Sequence, residues 1–241
     1  MRSRQSLDID PEICRAATLP GWFYRAPDVY DALRERVFVP SWQFLGSLDR
    51  VKVPGQAWPV TLLEGMLDEP IVLTRDRDDR VHCMSNVCTH RGTLVCEVEG
   101  SAVGGNHLRG RYHGRRFGLD GRMISMPEFE GVENFPSARD DLRRVPLGVW
   151  EKLAFASIAP AAALAVERTK VSFLSYVWDP SGLDRGAGSA LDRVEREDEA
   201  IVESVQRGVR GRLYERGRYS PAREQGVHHF RRLLAAALAG A

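Results

Sequence analysis

The residues able to do chemistry in this chain stand in two short loops, Cys88-Thr89-His90-Arg91-Gly92 and Gly110-Arg111-Tyr112-His113-Gly114. A thiolate two residues before an imidazole, with a second imidazole on a later turn, suits a two-iron, two-sulfide centre. In such a centre one iron takes two thiolates and the other two histidines, each loop giving one of each. The first loop is complete, with Cys88 and His90. The second supplies His113, but three residues before it, where the pattern requires cysteine, stands Gly110. Passage of electrons through such a site turns on that glycine. Zinc is the alternative ion, and it too needs a fourth ligand near Gly110. Cys83 and Cys96 are the nearby thiols that could step in, and both read instead as small buried apolar residues. His107 reads as a surface residue of a hairpin.

Two loops can converge on one site only if strands deliver them. Pro59-Val60-Thr61-Leu62-Leu63 and Pro70-Ile71-Val72-Leu73-Thr74 are strand-like, and Arg77-Asp78-Asp79-Arg80 reads as a hairpin tip before Val81-His82-Cys83-Met84. Asp120-Gly121 is a hairpin turn. Strands this closely spaced predict a small antiparallel β domain over residues 42–160. Residues 1–41 are expected to be helical, with Asp10 capping a helix that has Pro11 at its first position and a second helix from Asp28 to Val37. Over 161–241 the pattern predicts one strand, Thr169 to Trp178, an amphipathic helix from Leu191 to Gly208, and a last helix from about Ser220 to Leu238. One strand and two helices cannot stand alone, so this tail must pack on the β domain or on another chain. The fold class is α+β.

At 241 residues with 43% apolar and 28% charged content, the composition is that of an ordinary globular protein. A net charge of +1 gives no general attraction to nucleic acid or to an anionic membrane, and no apolar stretch is long enough to span a bilayer. The four cysteines, Cys14, Cys83, Cys88 and Cys96, lack the spacing of a disulfide framework, and Met1-Arg2-Ser3-Arg4-Gln5 lacks the apolar core of a signal peptide. The expected compartment is a reducing cytoplasm.

The chain resembles the α-subunit of Rieske non-haem iron oxygenases, the aromatic-ring-hydroxylating family. The resemblance runs through Ala17-Thr18-Leu19-Pro20, Ser41-Trp42-Gln43, Asn86 to Gly92, Leu119-Asp120-Gly121-Arg122, Glu203 to Gly208, and Gly226-Val227-His228-His229-Phe230. It implies a [2Fe-2S] cluster held by Cys88, His90 and His113, electrons from a reductase, assembly as a homo-oligomer or with an intact α-subunit, and a mononuclear Fe(II) that activates O₂. The chain departs from the family twice. The second loop normally reads Cys-Pro-Tyr-His-Gly-Trp, whereas this chain has Gly110, Arg111 and Arg115 at the first, second and sixth positions. The mononuclear iron requires two histidines and a carboxylate, yet none of the six histidines lies between His113 and His228. Asp198, in Arg196-Glu197-Asp198-Glu199, aligns with the family's carboxylate ligand. Without histidine partners it reads as a solvated helix-face residue. Adjacent His228 and His229 would point about 100° apart on a helix and read as structural. Mononuclear iron is therefore not expected, and the segment after residue 160 resembles a catalytic domain shortened by an internal deletion.

Overall fold

The computed structural model describes residues 7–101, 106–160, 204–211 and 213–239. They fall into two units, one of Arg34–Ala163 and one that joins Met1–Leu33 with Leu164–Ala241. Helices and purely antiparallel sheets together make the fold α+β.

Among the described residues, ten strands build the Arg34–Ala163 unit. In chain order they are β1 Gln43–Ser47, β2 Gln56–Leu62, β3 Glu69–Arg75, β4 Val81–Ser85, β5 Gly100–Ser101, β6 His107–Arg109, β7 Arg116–Gly118, β8 Met123–Ser125, β9 Leu147–Trp150 and β10 Leu153–Ala156. They form three antiparallel sheets, ordered β1-β10-β9, β4-β3-β2-β5 and β6-β7-β8. The apolar run in β3 is continuous rather than alternating because both faces of that strand are covered. Ile71, Val72 and Leu73 are all fully buried. Period-two geometry sends Val72 to one core and its two neighbours to the other. Val72 joins Met84, Cys88, Leu108, Phe117 and Leu142, while Ile71 and Leu73 join Trp58, Leu62, Cys83 and Ala154. Cys83 and Cys88 therefore belong to different cores.

Two hairpin turns explain how short strands this close together are held. Between β7 and β8, Gly121 adopts φ +82°, and a Cβ there would lie 2.9 Å from the Met84 sulfur, so the turn needs glycine. Between β3 and β4, the Asp76 carboxylate accepts hydrogen bonds from the Asp78 and Arg80 amides, each at 2.9 Å, and from His82 Nε2 at 2.7 Å. Arginine can only donate, so the 2.8 Å contact from Arg144 Nη1 makes His82 Nδ1 the acceptor and leaves the ring proton on Nε2. Burial pushes the Asp76 carboxyl upward, but the bonds from His82 and the two amides outweigh it and hold it below the usual carboxylate range. A carboxyl with a lowered folded pKa contributes stability that is full above the unfolded value, about 3.9, and is lost as pH falls through the folded value. The Tm gap between wild type and Asp76→Asn is thus expected to be widest near neutrality and to close below about pH 3.9. A gap that stays constant into acid would show that this carboxylate does not set the hairpin's acid limit.

The helical expectations are met in part. Asp10 does cap a turn, its Oδ1 accepting from the Glu12 amide at 2.8 Å and its carboxylate pairing with Arg15 at 3.1 Å. No helix follows, because Ala17 turns aside to bridge Arg218 and the Thr18 amide donates to the Gly217 carbonyl at 3.0 Å. The second helix runs over Pro27–Leu33 and widens into a π-turn over Arg34–Phe38, just before Pro40. In the unit that contains both chain ends, the core is Ile9, Ala16, Leu19, Phe23, Val29, Tyr219 and Ala235. The C-terminal helix spans Gln225–Ala239. The strand expected at Thr169 to Trp178 and most of the helix expected at Leu191 to Gly208 lie outside the described residues, although 204–209 is helical.

Candidate metal centre

The first loop leaves β4 and is closed at its base by Asn86, which is almost fully buried. Its side chain donates to the Cys96 carbonyl at 2.6 Å and accepts from the Cys96 amide at 2.8 Å. The backbone then doubles back, the Cys88 amide donating to the Thr93 carbonyl at 2.8 Å and Gly92 turning with φ +75° to reach the Cys88 carbonyl at 3.0 Å. Asn86→Ala would leave the Cys96 amide and carbonyl without their partner, a loss expected at about 1–3 kcal/mol in urea unfolding. An unchanged midpoint would assign the loop's closure to its backbone alone.

The second loop, residues 110–115, connects β6 to β7, whose last paired residues are Arg109 and Arg116. The Gly110 amide donates to the Arg115 carbonyl at 2.8 Å and the Gly114 amide to the Gly110 carbonyl at 3.1 Å. The two hairpin-borne loops meet. The rings of His90 and His113 lie 4.7 Å apart, edge to face, with Phe129 5.8 Å from His90 and Tyr112 3.8 Å from His113. Burial, then the positive fields of His113, Arg91 and Arg115, lower the pKa of His90 and favour the neutral ring that metal ligation requires. Cys88 is buried in the core beneath, among Val72, Met84, Leu108 and Phe117.

Gly110 completes the geometry without completing the chemistry. It is buried, its backbone is outside the left-handed region, and a Cβ built on it would lie 3.9 Å from Cys88 Sγ and 3.7 Å from the Arg115 carbonyl. Those are ordinary contacts. A side chain at 110 would project beside the Cys88 sulfur, where the second thiolate of an iron must stand. Cys88, His90 and His113 thus stand in converging loops, and the backbone at Gly110 leaves room for a side chain beside Cys88 but brings none. Among the described residues no three His, Cys, Asp or Glu side chains are placed to hold a single metal ion.

Cys83 faces the other core, and burial pushes its thiol up to about 12. Cys96 is half-buried, its thiol donating to the Val98 carbonyl at 3.4 Å. His107 lies in β6, paired with Gly118. His228 is buried in the other unit, donating to the Asp10 carbonyl at 2.8 Å and packing on Tyr219, while His229 is exposed. Asp198 lies outside the described residues. Asn86, Thr89 and Asp140 carried no chemical signal in the sequence beyond the first two sitting in a resembling motif. Arg115 was visible as a basic residue in an aromatic position, but its partner Asp140, 25 residues away, was not.

Two antiparallel hairpins presenting Cys-x-His and a facing histidine define the class as a Rieske-type β domain. Comparison with known proteins agrees. The family described as Rieske [2Fe-2S] domain matches residues 41–136, and the ring hydroxylating alpha subunit catalytic domain matches residues 160–240. Choline monooxygenase of Arabidopsis thaliana is 25% identical over 79% of this chain and 44% of its own length. The carnitine monooxygenase oxygenase subunit of Escherichia coli is 30% identical over 61% of this chain and 38% of its own. Naphthalene 1,2-dioxygenase from Rhodococcus sp. superposes with a TM-score of 0.53 at 27% identity, over 61% of this chain and 33% of that one. The relatives of this chain are Rieske oxygenase α-subunits, and its family matches are to their Rieske and catalytic domains. The chain spans less than half the length of these relatives.

Among the described residues no helix is long and apolar enough to cross a membrane.

Proposed function

We propose that this chain is a cytoplasmic Rieske-type oxidoreductase module, related to ring-hydroxylating oxygenase α-subunits, that does not oxygenate an organic substrate by itself. Cys88, His90 and His113 would hold its [2Fe-2S] cluster, with the position at Gly110 left to water. The family relationship supports a reductase and another α-type subunit as partners. The observation that carries the reading is the meeting of the two loops, with His90 and His113 edge to face and residue 110 beside the Cys88 sulfur. The limit on oxygenation rests on the missing histidines between His113 and His228, since a mononuclear iron needs two with a carboxylate such as Asp198. A missing ligand exposes an iron and makes retention poor. Anaerobically purified protein is therefore expected to carry fewer than the roughly two irons per chain of a full centre, with a Rieske-type EPR signal from the fraction loaded. Colourless, iron-free protein after anaerobic reconstitution with iron and sulfide would rule this reading out.

A second reading, a non-catalytic remnant that binds intact α-subunits and modulates their assembly, is favoured by the joint loss of the Gly110 thiolate and of the histidine pair. Co-purification with a full-length α-subunit supports it. A monodisperse monomer that ignores such a subunit removes it.

A further inference from the structure

Arg115 sits where the resembling family has tryptophan, and only 3% of its side chain is exposed. A guanidinium that deep is retained only if it is paired. Its Nη2 meets Asp140 Oδ1 at 2.7 Å and its Nη1 donates to Thr89 Oγ1 at 2.9 Å. The Thr89 hydroxyl donates in turn to the Asp140 carbonyl at 2.6 Å. Asp140 is fixed from the other side, its Oδ2 accepting from the Ser137 amide at 2.9 Å and hydroxyl at 3.0 Å. Phe135 and Phe117 lie 5.3 Å and 5.9 Å from the guanidinium carbon, and Nε is buried without a partner. Arg115 belongs to the second loop, Thr89 lies between the two ligands of the first, and Asp140 comes from a third segment. Indole, with one N–H and no charge, could not join these three.

We propose that Arg115 is a positioning residue that clasps the two loops together through Thr89 and Asp140, keeping Cys88, His90 and His113 convergent in the metal-free protein. Metal sites are commonly assembled by the ion itself. Here a buried ion pair does that work, whether or not a cluster is carried, so the inference stands or falls separately from the proposed function.

The test follows alkylation of each thiol by iodoacetamide in the full chain after chelation with EDTA, read by peptide mass spectrometry. Cys14 is exposed and reports the free rate, while Cys83, buried in the other core, reports global unfolding. In the wild type Cys88 is expected to react at least about tenfold more slowly than Cys14, the scale of one hydrogen-bonded closure. Arg115→Met and Thr89→Val should both remove most of that protection while Cys83 stays unreactive. Thr89→Val cuts the tie to the loop and leaves the ion pair intact, so it decides the matter should Arg115→Met unfold. Cys88 as reactive as Cys14 in the wild type, or protected as before in both variants, overturns the clasp. So does release of Cys83 together with Cys88 in both variants, because loop and core would then open as one.

Discussion

Gly110→Cys is expected to raise iron retention after reconstitution with iron and sulfide at least about tenfold over the wild type, the lower end of what even outer ligand partners contribute to metal affinity. Little stands in its way. The backbone at 110 is of a kind any residue adopts, and the new Cβ would meet Cys88 Sγ and the Arg115 carbonyl only at 3.9 and 3.7 Å. The added thiolate would close the coordination of the iron that Cys88 begins. Gly110→Ala is the control, because it gains the same relief of unfolded-chain entropy, about 0.4–1 kcal/mol, without a ligand. Visible absorption, iron content and EPR should separate the cysteine variant from both others. Equal loading of wild type and Gly110→Cys would mean that Gly110 is not the defect in this centre.

Asp140→Ala is expected to cost about 3 kcal/mol in urea unfolding, because it leaves the Arg115 guanidinium buried and unpaired. Burial works to raise the Asp140 carboxyl, yet the bonds from Ser137 and Arg115 hold it below the usual range, so it is charged at neutral pH. Arg115→Met should cost less than half as much. The sulfur-bearing chain fits between Phe117 and Phe135, and the abandoned carboxylate, with 22% of its side chain exposed, can turn to water. This asymmetry is the signature of a desolvated pair. Equal and small losses from both variants would instead class it with exposed ion pairs that contribute little.

Strands were legible in the sequence where the physics is local. The runs at 59–63 and 70–74 became β2 and β3, and the Asp-Gly pair turns β7 into β8, because turn chemistry and apolar spacing act over a few residues. The helix expected after Asp10 failed for the opposite reason. Its cap formed, but pairing with residues 217 and 218, far along the chain, outweighed a local preference. Nothing local announces that the first and last segments share a core. The site divides the same way. Cys88, His90, His113 and the gap at Gly110 are visible as residue types at fixed spacing, whereas the Arg115 clasp depends on Asp140, which three-dimensional folding alone brings near.

The placement of β3 between two cores bears on how such a site can change over generations. The strand feeding the first loop, β4, pairs along its length with β3, which is pinned on both sides by Val72 on one face and Ile71 and Leu73 on the other. A ligand in the loop can therefore be exchanged with little consequence for the framework that carries it. Mutational drift is cheap at the tip and forbidden at the stem, and a centre of this build can fall silent chemically while its fold persists unmistakably as that of its family.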